Sequence, residues 1–331
     1  MIDYLTFAPI EANLSMTMLE KFARCRKRWQ YRYAYGLEPK GLPEYVWIGS
    51  AFHAGAAEGY RTWKRDGHNR NFLSTAHKGV FAWNVDNPGK LSPENLSLVG
   101  DMLTYWWLHE GYYEDYSEII AVEESIPLFT SYSLGGLGEP KIVAIRCTPD
   151  LIARRASTGK LVVPDHKTVG SIGESLAFLP IDFQLRAYNA AVFRKYGEIP
   201  EMDYNLVKRG LPPDFIRPDG SKPYSLTKTG KTSTRSAKKE DHVYRLRQVF
   251  TLEAVHAFES DLSDLVTDMA LAWYKQRFPR TRIKKGGDSC NICEYLPICT
   301  AELDGKKLSG LDLAGYNKDA TYAPAELLRV A

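Results

Sequence analysis

The sequence predicts an α/β protein, because helical and strand-like patterns follow one another along its 331 residues. A capping box, Thr17 with Glu20 three residues later, opens a helical pattern near the N-terminus. Between residues 119 and 168 the pattern changes to short runs rich in Val, Ile and Leu, which are typical of strands. Helical spacing then returns after Asp182. Hydrophobic residues make up 44% of the chain and charged residues 25%, and these values exclude disordered, collagen-like and coiled-coil proteins.

The individual elements follow from capping residues and periodicity. Helices are expected from residue 17 onward and over residues 50–67, 92–116, 182–197 and 251–278. Strands are expected over residues 119–129, 141–154, 161–168 and 204–208. The loop of residues 156–159 is short enough to join the second and third strands as an antiparallel hairpin. The second helix would carry His53 in its first turn.

The cysteine content and the N-terminal sequence indicate a compartment. Five cysteines are too few for a secreted disulfide scaffold of this size and fit a reducing environment. No stretch approaches the roughly 20 consecutive apolar residues of a membrane-spanning helix. The first 14 residues carry Asp3 and Glu11 and lack the basic and apolar regions of a signal peptide. We therefore expect a cytoplasmic protein without a membrane partner.

The small net charge of +3 hides a segregation of charge along the chain. Residues 208–247 contain 11 basic and 4 acidic residues, a net charge of +7, whereas the remaining 32 basic and 36 acidic residues leave −4. Charge runs of this kind are usually solvated loops. In a DNA-binding protein the segment would instead follow the phosphate backbone. The candidates for that contact are Lys228, Lys231, Arg235, Lys238 and Lys239.

Two carboxylates face each other in the predicted hairpin. Asp150 and Asp165 are both 7.5 positions from the centre of its turn, so an unbulged hairpin sets them directly opposite each other. Lys167 shares the face of Asp165 because side chains alternate along a strand. A cation relieves the repulsion between two carboxylates, and oxygen ligands suit Mg²⁺ or Mn²⁺. An isolated Asp-x-Lys is more often a surface ion pair, but the opposed Asp150 favours a metal site.

Two of the predicted helices carry polar residues that could complete this site. His53 ends a Gly-x-x-x-His pattern, and its imidazole can complete a divalent-metal site, although a lone helical histidine is more often packed or exposed. Glu58 is rotated about 140° from His53 around the helix and so faces elsewhere. Gln184 and Tyr188 are four residues apart on one helix face, where they either present an amide and a phenol to a ligand or pack at a rim.

A cluster of cysteines forms a second candidate metal site. Cys290, Cys293 and Cys299 lie within ten residues, and Cys25 would be the fourth ligand. Four thiolates hold either a tetrahedral zinc ion or a [4Fe-4S] cluster, and the spacing alone favours neither. Either group would join the N-terminal helix to the C-terminal region. Cys147 has no partner at suitable spacing and is interpreted as a core residue.

Taken together, these motifs resemble those of the PD-(D/E)XK nucleases, in the RecB/AddB-like branch that includes CRISPR-associated iron-sulfur exonucleases and phage recombination exonucleases. The resemblance covers residues 17–299 and rests on six motifs in the same order. They are Cys25 with the basic and aromatic residues after it, Gly49-x-x-x-His53, Pro149-Asp150, Asp165-His166-Lys167, Gln184-x-x-x-Tyr188, and Cys290-x₂-Cys293-x₅-Cys299.

The resemblance implies a restriction-endonuclease-like fold, in which helices flank a mixed central sheet and an iron-sulfur staple joins the N-terminal helix to the C-terminal region. The implied activity is metal-dependent hydrolysis of DNA by an exonuclease of recombination, repair or DNA-end processing, in a bacterium or a phage-infected host cell. His53, Asp150, Asp165 and the backbone carbonyl of His166 would hold Mg²⁺ or Mn²⁺. Lys167 would orient the attacking water. Gln184 and Tyr188 would contact the DNA near the scissile phosphate.

By the same likeness, residues 1–331 form one nuclease domain. Its segments are an N-terminal helix with the first cluster cysteine (15–48), the nuclease core (49–205), a basic insertion (206–250), a long helix (251–280), and the cysteine cluster with a C-terminal tail (281–331). Besides DNA, a recombination or single-strand annealing protein and a second copy of the chain are candidate partners.

The sequence departs from the family pattern in two places. Glu58 is one position away from the usual acidic partner of the motif histidine, and the basic insertion is longer than compact family members need. The alternative function is a noncatalytic DNA-binding or recombination scaffold that keeps the fold and the metal staple. The complete set of Asp150, Asp165 and Lys167 argues against that alternative.

Overall fold

The computed structural model describes most of the chain and divides it into two units. The described residues are 14–110, 115–135, 139–177, 179–212, 214–221, 242–281, 290–306 and 313–319. As far as they are described, Pro43–Ile126 and Thr148–Leu252 build the larger unit, and Met1–Leu42, Pro127–Cys147 and Glu253–Ala331 build the smaller unit. The single domain expected from the sequence stays a prediction.

The described residues contain runs of consecutive helices and, between residues 116 and 169, five consecutive strands. The helices are α1 (Met16–Arg24), α2 (Arg26–Trp29), α3 (Glu44–Asp66), α4 (Phe72–Asp86), α5 (Pro93–Glu110), α6 (Ile172–Leu176), α7 (Phe183–Tyr196), α8 (Leu252–Tyr274) and α9 (Leu296–Leu303). The strands are β1 (Leu37–Pro39), β2 (Tyr116–Val122), β3 (Ile126–Tyr132), β4 (Lys141–Cys147), β5 (Leu151–Arg155), β6 (Leu161–Val169), β7 (Glu201–Lys208), β8 (Val243–Val249) and β9 (Tyr316–Lys318). Within this part of the chain, no helix has the length and apolar character needed to cross a lipid bilayer.

The larger unit contains a five-stranded mixed sheet in the order β2-β5-β6-β7-β8. β6 and β7 run parallel, and every other neighbouring pair is antiparallel. The first six residues of β6 are all buried, as expected for a central strand that is covered on both faces. The mixed sheet with helices is therefore confirmed. Its central strand, β6, is the strand that carries Asp165 and Lys167.

Aromatic residues from α3, α4 and α5 build the core of the larger unit. Phe72 of α4 stacks on Trp107 of α5 with 3.6 Å between the ring centroids. Trp106 of α5 is fully buried and meets the ring of Phe52 on α3 edge to face. These rings belong to one buried cluster that includes Val162 of β6. Large aromatic side chains dominate the energetics of such a core, so α3 is held by contacts to helices and to the sheet.

α3 and α4 approach each other closely because glycines lie at their interface. A Cβ atom at Gly79 would lie 2.8 Å from the carbonyl oxygen of Ala54 and 2.8 Å from the Cβ of Glu58. A Cβ atom at Gly59 would lie 2.6 Å from the ring of Phe72. Close packing leaves no room for an added methyl group at these points, so the two helices can adopt this separation only with glycine.

We expect Gly79→Ala to lower the free energy of unfolding by about 1–3 kcal/mol, because the new methyl group meets backbone that cannot move aside. Gly100→Ala on α5 is the matched control, since the nearest atoms to its added Cβ lie 3.9 Å away. That control should gain about 1 kcal/mol from helix propensity. Urea denaturation of both variants measures the difference. Equal shifts in both would contradict the close packing of α3 on α4.

The helix starts differ from those expected. α1 begins at Met16 rather than at Thr17, because Ser15 adopts the extended conformation of an N-cap and its hydroxyl accepts a hydrogen bond from the backbone N–H of Met18. α3 begins at Glu44, directly after Pro43, so His53 lies in its third turn and not in its first. Proline is well suited to precede or open a helix, and the pattern of small residues after Gly49 hid this earlier start.

Two of the expected strands are each two strands. The run 119–129 divides into β2 and β3 at Glu123, whose φ of 48° is a turn conformation. The run 141–154 divides into β4 and β5 around Pro149, which has no N–H to donate to a ladder. β3 and β4 pair with each other in a separate two-stranded sheet. The sequence also missed α4, and α5 ends at Glu110 rather than continuing to residue 116, where β2 begins.

Other boundaries are confirmed. α7 is capped by Asp182, whose Oδ1 accepts a 2.9 Å hydrogen bond from the N–H of Leu185, and it ends at Gly197 in the left-handed conformation. β7 covers the expected strand 204–208 and begins three residues earlier. α8 lies within the expected long helix.

The smaller unit packs around Trp29, which is fully buried. Its indole contacts the rings of Phe22 on α1 and Trp273 on α8 edge to face and stacks on Phe278. A second buried cluster contains Tyr31, Leu37, Tyr295 and Ile298, with Cys293 and Cys299 at its edge. The N-terminal and C-terminal parts of the chain therefore share a core within this unit.

Candidate active site

The hairpin of β5 and β6 brings the two predicted carboxylates to one place in the larger unit. Ala153 pairs with Val162, which is the register expected for a hairpin that sets Asp150 opposite Asp165. Asp150 lies just before β5, where its Oδ2 accepts a 2.7 Å hydrogen bond from the backbone N–H of His166. That bond ties Asp150 to the residue next to Asp165.

Asp165 and Lys167 form a buried ion pair on one face of β6. The Lys167 Nζ lies 3.0 Å from Asp165 Oδ2 and 3.3 Å from Asp165 Oδ1, and only 1% of Asp165 is exposed. Oδ2 is thus in ionic contact with the amine, but this buried oxygen accepts no hydrogen bond within the described residues. Burial, aided by the Asp150 charge and opposed by Lys167, raises the pKa of Asp165 to about 6. Burial lowers the pKa of Lys167, but the two carboxylates outweigh it and raise that pKa, so the amine stays protonated.

His53 of α3 reaches Asp150 from the helical side. Its Nδ1 lies 3.1 Å from Asp150 Oδ1. Burial pushes the pKa of Asp150 upward, but the charge of His53 and its hydrogen bond outweigh that effect and hold this pKa well below the ordinary value. The pKa of His53 is raised in return, against the effect of its own burial. Gly49 permits this approach of α3, since a Cβ atom there would lie 2.9 Å from Thr168 Oγ1 on β6.

The side chain of His166 lies on the opposite face of β6. Its ring stacks on Tyr60 with 5.7 Å between centroids and meets Trp106 at 4.9 Å. Burial lowers its pKa to about 3, so the imidazole is neutral at neutral pH. Arg245 donates to the oxygen of Asn205, which turns the Asn205 amide nitrogen toward His166 Nδ1. Nδ1 therefore accepts, and the proton sits on Nε2, which faces the Tyr60 hydroxyl at 3.3 Å.

Tyr60 and Asn205 were missed by the sequence analysis. Tyr60 follows His53 by seven residues on α3, two helical turns, and that spacing is the one signal that could have shown it. Asn205 lies in β7 directly beside His166 in the parallel register, which depends on a strand order that a single sequence does not reveal. Both residues contact the ring of His166, the residue between Asp165 and Lys167 in the sequence. These contacts help to keep β6 in its orientation.

Gln184 and Tyr188 of α7 extend the polar chain that begins at Lys167. The Lys167 amine donates a 2.6 Å hydrogen bond to Gln184 Oε1, and the Gln184 amide nitrogen donates to the Tyr188 hydroxyl. Only 5% of the Tyr188 surface is exposed to solvent. Their expected contact with DNA stays a prediction, whereas the hydrogen bond from Lys167 to Gln184 indicates that Gln184 positions the amine.

We expect Gln184→Ala to lower kcat by about 10- to 100-fold with little change in KM, because Lys167 loses the acceptor that holds its amine. Tyr188→Phe is the matched control, since it removes the bond beyond Gln184 and leaves the Lys167 contact in place. Steady-state cleavage kinetics measure both variants. A change confined to KM in Gln184→Ala would favour direct contact with the substrate instead.

The remaining predicted DNA contacts fall outside the described residues. Lys228, Lys231, Arg235, Lys238 and Lys239 all lie in the segment 222–241. At the edges of that segment, Arg217 pairs with Asp101 and Arg245 pairs with Asp115.

The four predicted cluster cysteines line one cavity in the smaller unit. Cys25, Cys290, Cys293 and Cys299 are among the residues that line a volume of about 380 Å³, and no two of them form a disulfide. The Arg280 guanidinium donates a 3.2 Å hydrogen bond to Cys299 Sγ. Cys147 lies apart in the core, fully buried, where burial raises its pKa to about 12. Its interpretation as a core residue is confirmed.

Neither candidate metal site forms a closed set of ligands. Among the described residues, no three His, Cys, Asp or Glu side chains converge as they would around an ion. At the carboxylates, the donor chemistry nevertheless fits a hard divalent cation. His53 Nδ1 and Asp150 Oδ1 lie 3.1 Å apart, so both atoms can bind one ion once the proton between them is lost, as ligation by a neutral imidazole requires. The buried Asp165 Oδ2 without a hydrogen bond is a further ligand atom of the right kind.

Two carboxylates and a lysine beside a mixed sheet are features of a class of nucleases. A comparison with models of protein families matches residues 13–300 to the PD-(D/E)XK nuclease superfamily. That match spans most of the chain, and the chain belongs to this superfamily.

Other comparisons add little to this assignment. No curated protein sequence matches the chain significantly. Among solved structures, a presumptive exonuclease from Eubacterium rectale is similar, with a TM-score of 0.43 and 8% sequence identity over 86% of this chain and 91% of that one.

Proposed function

We propose that the protein is a DNA exonuclease that depends on Mg²⁺ or Mn²⁺. The observation that carries this proposal is the buried Lys167–Asp165 ion pair beside Asp150 and His53. Burial of the Asp165 carboxylate costs free energy that its contacts do not fully offset, as its raised pKa shows, and such an arrangement persists where chemistry requires it. Membership of the nuclease superfamily gives the class of reaction, and the resemblance of the six motifs supports exonuclease action.

Asp150, Asp165 and His53 would hold the metal, together with the backbone carbonyl of His166. The N–H and C=O of one strand residue point to the same neighbour, and the His166 N–H points to Asp150, which supports a carbonyl on that side. When bound, the ion supplies positive charge to the phosphoryl oxygen and lowers the pKa of an attacking water. The neutral His166 ring and its partners keep β6 in place for these donors.

Lys167 would orient the attacking water and stabilise the negative charge of the transition state. Its pKa is raised by Asp165 and Asp150, so it acts as a cation and not as a general base. Gln184 holds the amine at 2.6 Å. A preorganised cation in a site with little water gives more stabilisation than the same charge in solution.

The cysteine cavity would hold a [4Fe-4S] cluster, with zinc as the alternative. The preference for the cluster rests on the resemblance of the six motifs, because four thiolates can hold either group. The cavity of about 380 Å³ that the four thiols line is shared with other side chains and favours neither group. Its role would be structural, because Cys25 and the three C-terminal cysteines come from opposite ends of the chain within one unit.

A time course on end-labelled linear DNA and on circular DNA, with Mg²⁺ or Mn²⁺, tests the activity. We expect linear DNA to be degraded from its ends and the covalently closed circle to persist. Lys167→Ala should reduce the rate at least about 100-fold, while Lys160→Ala, an exposed lysine in the turn of the same hairpin, should leave it unchanged.

Two outcomes would overturn this proposal. Undiminished cleavage by Lys167→Ala would show that the proposed site is wrong. Cutting of circular DNA at a similar rate would show that the enzyme is an endonuclease and not an exonuclease. Salt-sensitive DNA binding without metal-dependent cleavage would instead support the noncatalytic scaffold. Within the proposed function, recombination, repair and DNA-end processing are the roles that the family likeness suggests, and a recombination or single-strand annealing protein is the partner it suggests.

A further inference from the structure

One arginine close to the candidate active site has no anionic partner among the described residues. Arg209 follows β7, and its backbone N–H donates to the carbonyl of Val169 at the end of β6. Its guanidinium donates a 3.0 Å hydrogen bond to the carbonyl oxygen of Thr168, the residue directly after Lys167. Among the described residues, no carboxylate pairs with this guanidinium. Tyr45 is the titratable group whose charge would raise the pKa of Arg209.

The other arginines of the larger unit provide a contrast. Among the described residues, seven of them form ion pairs with carboxylates: Arg61, Arg65, Arg154, Arg155, Arg217, Arg245 and Arg247. Arg209 is half-buried, and burial lowers its pKa because no negative charge compensates for the lost water. A partly desolvated cation without an anion is unfavourable unless a ligand supplies one. The unused N–H groups of Arg209 are suited to two oxygens of a phosphate.

Tyr45 stands over this guanidinium at the beginning of α3. Its ring centroid lies 5.0 Å from the central carbon of the guanidinium, and 53% of the residue is exposed. One face of the ring rests on the cation, and the exposed part of the ring is available to a planar ligand. Gly170 borders the guanidinium on another side, where a Cβ atom would come within 3.1 Å of the Arg209 Nη2. Glycine therefore keeps the space beside that donor open.

The pair lies in line with the candidate active site along α3. Tyr45, Gly49 and His53 are spaced by four residues and share one face of the helix. Eight residues of helix span about 12 Å. Gly49 touches Thr168, and Thr168 touches Arg209, so Tyr45 and Arg209 lie on the side of the site beyond the end of β6. A strand bound across His53 and Asp150 would reach them within a few nucleotides.

We propose that Tyr45 and Arg209 form a nucleotide subsite, in which Arg209 binds a backbone phosphate and Tyr45 stacks on a base of single-stranded DNA. This subsite rests on the proposed function, because it extends the path of the same substrate strand. Arg209 supplies charge that is independent of sequence, and Tyr45 supplies a stacking surface that every base can use. The subsite therefore holds a strand end without selecting its sequence.

Binding of a fluorescent single-stranded oligonucleotide to the full-length protein, measured in EDTA as a function of salt, tests the subsite. We expect Arg209→Gln to weaken binding about tenfold and to reduce the slope of log K against log salt by about 0.7, the value for one lost phosphate contact. Arg209→Lys should keep most of that slope. Arg65→Gln is the matched control, since it removes an exposed arginine that already pairs with Asp66, and it should change neither quantity.

Tyr45 is tested separately with a series of oligonucleotides that carry one abasic position each. Tyr45→Ala should weaken binding of the normal oligonucleotide at least about fivefold, whereas Tyr45→Phe should bind like the wild type. For the oligonucleotide whose abasic position falls on the ring, wild type and Tyr45→Ala should bind equally well. A purely structural role of Tyr45 would weaken binding of every oligonucleotide alike.

The outcomes separate this inference from the proposed function. If the wild type cleaves DNA but Arg209→Gln retains wild-type affinity and salt slope, the subsite is wrong and the function stands. An equal effect of Tyr45→Ala on all members of the abasic series would remove the stacking role. If the wild type neither binds nor cleaves DNA, both the subsite and the proposed function are wrong.

Discussion

Asp165→Asn is expected to abolish cleavage of DNA and to leave the folded protein at least as stable as the wild type. Asp165 is 1% exposed, and burial together with the charge of Asp150 raises its pKa to about 6. A pKa above the ordinary value means that the charged form is less favourable in the folded than in the unfolded chain, so its removal favours folding at neutral pH. The same substitution removes a proposed metal ligand and should lower kcat at least about 10³-fold.

Thermal unfolding in EDTA and cleavage assays with Mg²⁺, both at pH 7.5, measure the two effects. Asp66→Asn is the control, because Asp66 is an exposed carboxylate whose pKa is lowered by its hydrogen bond to Arg65. That control should keep full activity and should gain no stability. A lower melting temperature for Asp165→Asn would show that the ion pair with Lys167 stabilises the fold more than burial of the carboxylate costs.

Cys290→Ala is expected to prevent binding of the proposed metal group and to destabilise the smaller unit. Cys290 borders the cavity that it shares with Cys25, Cys293 and Cys299. Ligands drawn from both ends of the chain convert the free energy of metal binding into free energy of folding. The melting temperature should fall by about 10 °C or more, given a shift of about 2–4 °C per kcal/mol for a unit of this size. Cleavage per folded molecule should change little.

Iron, sulfide and zinc analysis of anaerobically purified protein checks this expectation together with the melting curves. Cys147→Ala is the matched control, because it removes a thiol from the core of the same unit. Its metal content should stay at the wild-type level, and its stability should fall by about 1 kcal/mol. Colourless protein with stoichiometric zinc would show that the site binds zinc instead of an iron-sulfur cluster. Unchanged metal content and melting temperature in Cys290→Ala would refute the metal site.

The polar chemistry of the site could be predicted because it depends on local register. The turn of the hairpin fixes the pairing of Ala153 with Val162, and the same arithmetic relates Asp150 to Asp165. The cap at Asp182 and the glycine at 197 likewise depend on residues adjacent in sequence. Such features are determined within about 20 residues, so a single chain contains the information.

The partners that support the site could not be predicted because they come from distant elements. Asn205 meets His166 through the parallel pairing of β6 with β7, which α7 separates in sequence. Arg209 follows the C-terminal end of β7 and reaches Thr168 of β6. Pro149, at which the expected strand 141–154 divides into β4 and β5, is visible in the sequence. The apolar residues on both sides of it nevertheless give the pattern of one continuous strand. Periodicity describes each element alone, whereas these contacts depend on how elements are ordered in the sheet.

The glycines of α3 constrain which insertions and deletions the sequence of this helix can accept during evolution. His53 must face Asp150, while Gly59 must face the ring of Phe72 one and a half turns later. An insertion or deletion of one residue between them would rotate one partner by about 100° relative to the other. Either the imidazole would leave the carboxylate or a side chain would enter the interface with α4. Substitutions can therefore accumulate on the exposed face of α3, but its length between His53 and Gly59 must be inherited unchanged.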